Sequence, residues 1–335
     1  MPVRLALAAV AAMGLAACAT APRETLLAGE TMGSAWTAKV VGDLPKPEAQ
    51  LRSEMQARFE AVNQALSTYR QDSALSRFNA DTTGDWVPID PELAGVMAYA
   101  LRLAEQSGGA YDVTVGPLVN LWGFGPDPAT RKVPDSAAIS AARELVGWRN
   151  VEVDLATARA RKLPGVRVDL SSLGKGRGVD RVAEYLDSVG VSNYLIDLSG
   201  KLRARGRNAR GESWRVAVER PGDDSSDPSA AAPAIVELRD ESIATAGDYR
   251  RFFEADGRHY SHIIDPRTGF PVAHATVSAT ALAPDCMTAD AWATVLMAMA
   301  PGDALRLVEA ASIPALLVRR EDGGFASSAS SRWRR

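Results

Sequence analysis

Cysteine and histidine are almost missing from this chain. Its 335 residues hold two cysteines, Cys18 and Cys286, and three histidines, His259, His262 and His274. Two cysteines this far apart make neither a disulfide scaffold nor a thiolate zinc site, and three histidines exclude a histidine-rich metal centre. An excess of positive charge is absent too. Lys and Arg total 38 against 41 Asp and Glu, a net charge of -3, which gives no electrostatic footprint for DNA or RNA. Nor does any apolar run reach the roughly 20 residues that a membrane-crossing helix needs. The composition does contain 46% apolar and 24% charged residues, enough to bury a full core in one large domain or two smaller ones.

The N-terminus reads as an export signal. Arg4 precedes an apolar run from Leu5 to Leu15, and Leu15-Ala16-Ala17-Cys18 follows with small residues at a cleavage position. That tetrapeptide looks like a bacterial lipobox, in which Cys18 becomes the first mature residue and carries acyl chains that hold the protein to a membrane. An ordinary secretory peptide with a chance cysteine is the alternative. With Cys18 acylated, Cys286 is the one thiol left to the folded domain and has no intrachain partner. The expected organisation is a signal peptide over 1–17, a tether over 18–25, a folded domain over 26–320 and a disordered Ser-rich, basic tail over 321–335.

In the domain, residues 34–41 have the β-branched and aromatic content of a strand. Pro47 to Leu66 sets Leu51, Met55, Phe59, Val62 and Leu66 at helical spacing, and Asp90 precedes a second helix, Pro91 to Glu105, as its N-cap. Residues 109–126 lack clean periodicity and read as site-building chain. Two short strands are expected between 151 and 170 around a turn at Lys162-Leu-Pro-Gly165, then a helix from about Lys175 to Val189. Strands at 193–198, 214–219, 234–239, 258–264 and 276–283 and helices at 287–299 and 301–311 complete the reading, with 221–233 a low-complexity loop. Strands and helices alternate without a steady βαβ rhythm. The expected fold is therefore α+β, a mixed or antiparallel sheet flanked by helices in a single large domain.

Gly174-Lys175-Gly176-Arg177-Gly178 is not a nucleotide loop. A P-loop would need Gly where Asp169 stands and Ser or Thr where Gly176 stands, and the third glycine of a dinucleotide fingerprint would fall on Val179. No Gly-x-Ser-x-Gly elbow with a plausible triad occurs. Polar candidates remain in separated stretches. Asp290 and Thr294, four apart on a helix, offer two hard oxygen ligands of the kind Mg²⁺ accepts, although an Asp near a helix N-terminus and a packed Thr explain the spacing more simply. Asp169 to Lys175 ends a strand and opens a helix, a geometry that presents N–H groups to an anion or is an ordinary capped turn. His262, where a strand runs into an Asp-Pro turn, has the chemistry of a general base, yet a lone histidine is more often a packed one. Trp36, Tyr69, Tyr111 and Trp122 are ring-stacking or core aromatics.

Taken together these stretches resemble the ApbE family, the FAD:protein FMN transferases. The resemblance spans nearly all of residues 25–320. It is carried by Glu30-Thr-Met-Gly33, by Ser67-Thr-Tyr-Arg-Gln-Asp-Ser-Ala-Leu-Ser-Arg-Phe-Asn79 and by the segment from Tyr111-Asp-Val-Thr to Trp-Gly-Phe-Gly125. Asp169-Leu-Ser-Ser-Leu-Gly-Lys-Gly176, Ser261-His-Ile-Ile-Asp-Pro-Arg-Thr-Gly269 and Ala289-Asp-Ala-Trp-Ala-Thr294 complete it. The chain departs from the family pattern at Ser199-Gly200, usually Gly-Gly, and at Ser34, usually Thr.

The resemblance implies a T-fold-like enzyme that binds FAD, cleaves its pyrophosphate with Mg²⁺ and transfers FMN to a Thr or Ser hydroxyl of a partner protein, releasing AMP. By motif position it implies FAD contacts at Met32, Tyr69, Ala110, Tyr111, Asp112, Asp169, Lys175 and Ile264. It also implies a metal site of the Ser172 carbonyl, Asp290 and Thr294, and His262 as the base, which reverses the simpler explanations of those residues. Implied acceptors are flavin-bearing subunits of the Rnf complex or of sodium-pumping NADH:quinone reductase. The implied location is the periplasmic side of the bacterial inner membrane, lipid-anchored. An FAD pyrophosphatase releasing FMN and AMP, and a non-catalytic FAD-binding lipoprotein, are the competing readings.

Overall fold

The computed structural model describes residues 22–125, 131–218, 234–248, 252–321 and 324–333. The expected export segment, the first half of the tether and the 221–233 loop lie outside them. The described chain opens with the hairpin β1 (Glu24–Thr31) and β2 (Ser34–Val41), then α1 (Glu48–Leu66), α2 (Ala74–Ala80), β3 (Val87–Pro88) and α3 (Pro91–Gln106). Next come α4 (Gly116–Leu121), α5 (Ser136–Arg143), a 3-10 turn at Trp148–Asn150, β4 (Val151–Asp154), β5 (Arg159–Lys162) and α6 (Ser171–Ser188). A strand-rich stretch follows: β6 (Tyr194–Leu198), β7 (Lys201–Arg205), β8 (Trp214–Val218), β9 (Ala234–Leu238) and β10 (Ser242–Gly247). It continues through β11 (Phe252–Ala255), β12 (Arg258–Ser261), β13 (Ile264–Asp265), β14 (Phe270–Pro271) and β15 (Thr276–Ala283). The chain closes with α7 (Cys286–Ala298), α8 (Pro301–Ala311), β16 (Ala315–Glu321) and β17 (Gly324–Ala329).

The core is an eight-stranded sheet in the order β1-β2-β6-β7-β10-β15-β16-β17, with every neighbouring pair antiparallel. The fold is thus α+β, a single domain with an antiparallel sheet and helices, as the alternation of elements predicts. One face of the sheet carries α1, α6 and α7. There Ala279 and Ala281 of β15 and Leu317 of β16 pack with Ala291, Ala293 and Leu296 of α7. The intervening side chains, Leu282 and Leu316, point to the other face, where the β8–β9 hairpin covers them with Trp214, Val218, Val236 and Leu238. Because both faces are covered, all eight residues of β15 are buried. Ten of the 13 residues of α7 are buried as well, and a helix apolar on nearly every side belongs in the centre of a core.

α1 buries Leu51, Met55, Phe59, Val62 and Leu66, the stripe its spacing predicts. Asp90 caps α3, accepting from the Glu92 and Leu93 N–H groups. Four expectations are corrected. The tail does not start at 321, because β17 pairs with β16 from Glu321↔Gly324 to Leu316↔Ala329. Ser330 then exchanges bonds with the Ala315 N–H and the Ile313 carbonyl, so ladder bonds override a Ser-rich composition. The tether is shorter than expected, since β1 begins at Glu24. The β4–β5 hairpin turns at 155–158 rather than at Lys162–Gly165. Asp154 builds that turn by accepting from the Ala156 N–H and the Thr157 hydroxyl, while Lys162 ends the strand with Nζ on the Asp81 carbonyl. Residues 109–126 are not wholly irregular, because α4 lies within them.

α6 starts at Ser171, four residues earlier than expected, and the glycine at 176 within it is a packing device. A Cβ on Gly176 would stand 2.6 Å from the Cys286 carbonyl oxygen and 2.7 Å from Met287 Cα, so glycine is what lets α6 and α7 touch backbone to backbone. Two side chains lock that contact. Asp290 Oδ2 accepts from the Gly176 N–H at 3.1 Å. Asp180, 1% exposed, accepts from the Cys286 and Met287 N–H groups at 2.8 and 2.9 Å and pairs with Arg203 at 2.6 Å. These are N–H groups of α7's first turn, which have no partner inside their own helix. We expect Gly176→Ala to lower stability by about 1–3 kcal/mol through overpacking against backbone that cannot yield. Urea unfolding measures it, and an unchanged midpoint would mean that the two helices separate freely.

Candidate functional site

A cavity of about 990 Å³, at the upper end of the range for small-molecule sites, opens between the helical layer and the sheet. The end of α1 and the loop after it supply Val62, Leu66 and Tyr69. The β1–β2 turn supplies Met32, and the start of α6 supplies Ser172 and Lys175. The β6–β7 turn brings Ser199 to Lys201, the end of β10 brings Thr245, and α7 brings Asp290 and Thr294. His262 and Ile263 lie between β12 and β13 on the same wall.

Seven residues singled out by sequence therefore meet in one cavity: Met32, Tyr69, Ser172, Lys175, His262, Asp290 and Thr294. Tyr111 stands directly behind them. Its buried hydroxyl hydrogen-bonds Ser172 Oγ at 2.8 Å, and burial pushes its ionisation well above the usual tyrosine range, so it serves as a neutral partner. Ala110, Asp112, Asp169 and Ile264 do not line the wall. Asp112 is spent on structure, because Oδ1 accepts from the Thr114 N–H and hydroxyl and Oδ2 from the Trp148 N–H. Asp169 Oδ1 accepts from the Ser171 N–H at the start of α6, and Ile264 is buried beside Trp122 and Phe124 in a separate apolar cluster. Of the four aromatics, Trp36, Tyr111 and Trp122 are core, whereas Tyr69 is 65% exposed at the cavity.

The hydroxyl at Ser34, where the family more often has Thr, positions Lys175 by accepting from its Nζ at 2.8 Å. Both hairpin turns that reach the cavity hold a non-glycine residue in the left-handed region ahead of a glycine, Met32 at φ 48° before Gly33 and Ser199 at φ 53° before Gly200. Such residues cost roughly 1–2 kcal/mol each, a strain that tends to collect at functional sites. Asp197 offsets part of it by accepting from the Gly200 N–H at 2.8 Å.

Asp290 is the electrostatic centre of the cavity. It is 3% exposed, and burial pushes its carboxyl up, opposed by the ammonium of Lys201 at 3.0 Å from Oδ1 and by the Gly176 N–H. In a regular helix that N–H would serve the Ser172 carbonyl, so the carboxylate competes for a donor the carbonyl would otherwise hold. Thr294 sits one turn on, its hydroxyl donating to the Asp290 carbonyl at 3.1 Å. Among the described residues no cluster of three His, Cys, Asp or Glu side chains is placed to hold a metal. One carboxylate with hydroxyl and main-chain oxygens is the sparse, hard donor set that suits Mg²⁺, which keeps waters and shares phosphate oxygens, and does not suit zinc. The residues present fit Mg²⁺.

Two residues were missed by sequence reasoning. Lys201 directly follows the Ser199-Gly200 pair of the family pattern but carried no signal of its own. Asp180 did carry one, because it falls four residues after Gly176, on the same face of α6.

The ApbE family model matches residues 32–317. The FAD:protein FMN transferase of Vibrio cholerae serotype O1 is 41% identical over 318 residues, 95% of this chain and 94% of the relative. That of Escherichia coli strain K12 is 38% identical, covering 90% and 86%. The solved flavin transferase ApbE from Vibrio cholerae superposes with a TM-score of 0.85 at 40% identity, over 93% of this chain and 98% of that one. Pseudomonas stutzeri flavinyl transferase ApbE in its apo form gives 0.84 at 37% identity, over 93% and 96%. With the family pattern matched across the sheet, the helices and the cavity between them, this chain belongs to the ApbE family.

Proposed function

We propose that the protein is an FAD:protein FMN transferase, which cleaves FAD and attaches FMN through a phosphoester to a Thr or Ser hydroxyl of a partner protein, releasing AMP. The observation that carries this reading is the chemistry of the single cavity. It joins Tyr69 and the apolar side chains of Met32, Val62, Leu66 and Ile263, suited to flavin rings, to Lys175, Asp290 and Thr294, suited to a pyrophosphate. Relatives that share 41% and 38% of their residues with this chain carry the same activity in their names.

The acceptor oxygen attacks the phosphorus on the riboflavin side of the pyrophosphate. The new P–O bond forms as the bond to the bridging oxygen breaks, and AMP leaves with that oxygen. His262 takes the proton from the acceptor hydroxyl. Lys175, oriented by Ser34, neutralises phosphate charge, which matters more than covalent chemistry in a loose phosphoryl-type transfer. The Ser172 carbonyl, Asp290 and Thr294 would hold Mg²⁺, which when bound supplies further charge neutralisation at the pyrophosphate. An intact Asp290/Thr294 pair favours chemistry over a flavin store, because a binding module needs no metal there. We assign the acceptor to flavin-bearing subunits of the Rnf or sodium-pumping NADH:quinone reductase type. Lipid on Cys18 would hold the enzyme on the periplasmic side of the inner membrane. No helix among the described residues is long and apolar enough to cross a membrane.

Incubation with FAD, Mg²⁺ and an acceptor domain bearing a target Thr should add the mass of one FMN to the acceptor, read by intact mass spectrometry. Free FMN and AMP beside an unmodified acceptor would instead indicate the pyrophosphatase, and intact FAD the carrier. Asp290→Asn should reduce Mg²⁺-dependent transfer by at least about a hundredfold, the scale of losing one preorganised electrostatic contact. Asn is preferred to Ala because it keeps the shape of the side chain and an oxygen that can accept from Lys201, whereas truncation would leave a gap in a buried helix. His262→Ala should slow transfer by about 10²–10⁴-fold with the fold retained, and an unchanged rate would remove His262 from the reaction. Cys18→Ala should abolish incorporation of labelled palmitate and release the protein from the membrane fraction; persistent labelling would refute the lipobox.

A further inference from the structure

Lys201 stands out among the cavity residues because the transfer reaction as derived gives it no part of its own, yet it is built in with care. It is the first residue of β7, directly after the strained Ser199–Gly200 turn, and its side chain is only 12% exposed. Its ammonium reaches across to α7 and stands 3.0 Å from Asp290 Oδ1, while also donating to the Thr245 carbonyl on the next strand at 2.5 Å. One cation is thus held by three elements, β7, β10 and α7, against the one carboxylate of the metal donor set. The other oxygen of that carboxylate is already engaged by the Gly176 N–H. A divalent cation approaching Asp290 therefore meets a carboxylate whose charge is compensated and both of whose oxygens are engaged.

We propose that Lys201 is the resident counter-ion of the metal site, an intramolecular cation that Mg²⁺ must displace from Asp290 and that thereby sets the affinity of the enzyme for its metal. The inference rests on the reading of Asp290 as a metal ligand. Burying a carboxylate without a partner is costly, so a protein that spends part of its life without metal needs a substitute cation at that position. Lys201 supplies one without closing the site, because a lysine side chain is long and flexible enough to withdraw while the backbone of β7 stays in its ladder. Once displaced, the ammonium remains in the cavity proposed to hold the pyrophosphate.

The test is calorimetric titration of the purified, FAD-free full chain with Mg²⁺, in the wild type and in Lys201→Gln, Lys201→Arg and Asp290→Asn variants. Lys201→Gln should bind Mg²⁺ at least about fivefold more tightly than the wild type, because the competing charge is gone and repulsion between two cations is removed. Lys201→Arg, which keeps the charge, should stay near the wild-type affinity. Weaker or unchanged binding by Lys201→Gln, with Asp290→Asn abolishing binding, overturns the proposal and leaves the metal assignment standing. If Asp290→Asn binds Mg²⁺ as the wild type does, the metal assignment itself fails and the proposal with it. Flavin fluorescence quenching adds a readout of FAD binding in the absence of metal, where Lys201 is engaged by Asp290. There Lys201→Gln should alter FAD affinity by less than about twofold, and a larger loss would mean that Lys201 is a pyrophosphate-binding residue and not a counter-ion.

Discussion

The contact between α6 and α7 is the constraint on which the rest of the molecule depends. Two helices touch backbone to backbone at Gly176, where no side chain is tolerated, and two buried carboxylates fasten them, one contributed by each helix. Asp180 of α6 takes the first N–H groups of α7, so the positive end of the α7 dipole is met by a carboxylate from its neighbour. Asp285 takes the next one through the Thr288 N–H. With its start fixed in this way and its body laid on β15 through small residues, α7 has no freedom to rotate, and Asp290 and Thr294 are held toward the cavity. Neither carboxylate is a loose surface charge. Each lies in a region where leaving it uncompensated would cost more than its interactions return, which is why Arg203 and Lys201 on β7 accompany them.

β7 therefore links the sheet to the site. A short strand beginning at a strained turn delivers two cations, spaced two residues apart and so on the same face of the strand, to two carboxylates on two helices. The turn before it, with Ser199 and Gly200 both in the left-handed region, is tight enough to start the strand at the cavity wall. The same device is used at Met32–Gly33, where the β1–β2 turn brings an apolar side chain to the cavity. Between them the two hairpins supply one flavin-compatible surface and one charged surface to a single cavity, while the helices supply the oxygens.

Much of this was legible in the sequence. The α1 stripe from Leu51 to Leu66 and the Asp90 cap follow from spacing and capping chemistry alone, and β15 and α8 fall where their residues predict. The motif stretches at Met32, Tyr69, Ser172–Lys175, His262 and Asp290–Thr294 could be picked out because each is a local pattern in the linear chain, and the fold brings them to one cavity. What could not be read is equally specific. Gly174 has low helix propensity, so the first turn of α6, Ser171 to Gly174, reads as part of the preceding turn. The terminal Ser-rich segment reads as disordered until β16 offers it a ladder. Asp112 and Asp169 sit in family motifs, but Asp112 spends both oxygens on structure, one of them on the distant Trp148 N–H, and Asp169 gives Oδ1 to the Ser171 N–H at the start of α6.

By itself the sequence determined the class of fold and the helices with a strong apolar stripe, because periodicity and capping are properties of residues and their near neighbours, while the polar site candidates stood out only through the resemblance of whole motifs to the family. Only the tertiary structure decided that Lys201 faces Asp290 across 89 positions of chain, that Asp180 caps a helix 106 residues away, and that Tyr111 backs Ser172. Those relations join segments whose sequences carry no information about one another. They exist because the sheet order β6-β7-β10-β15 and the α6–α7 contact bring the segments together, and burial then makes each polar group's choice of partner decisive.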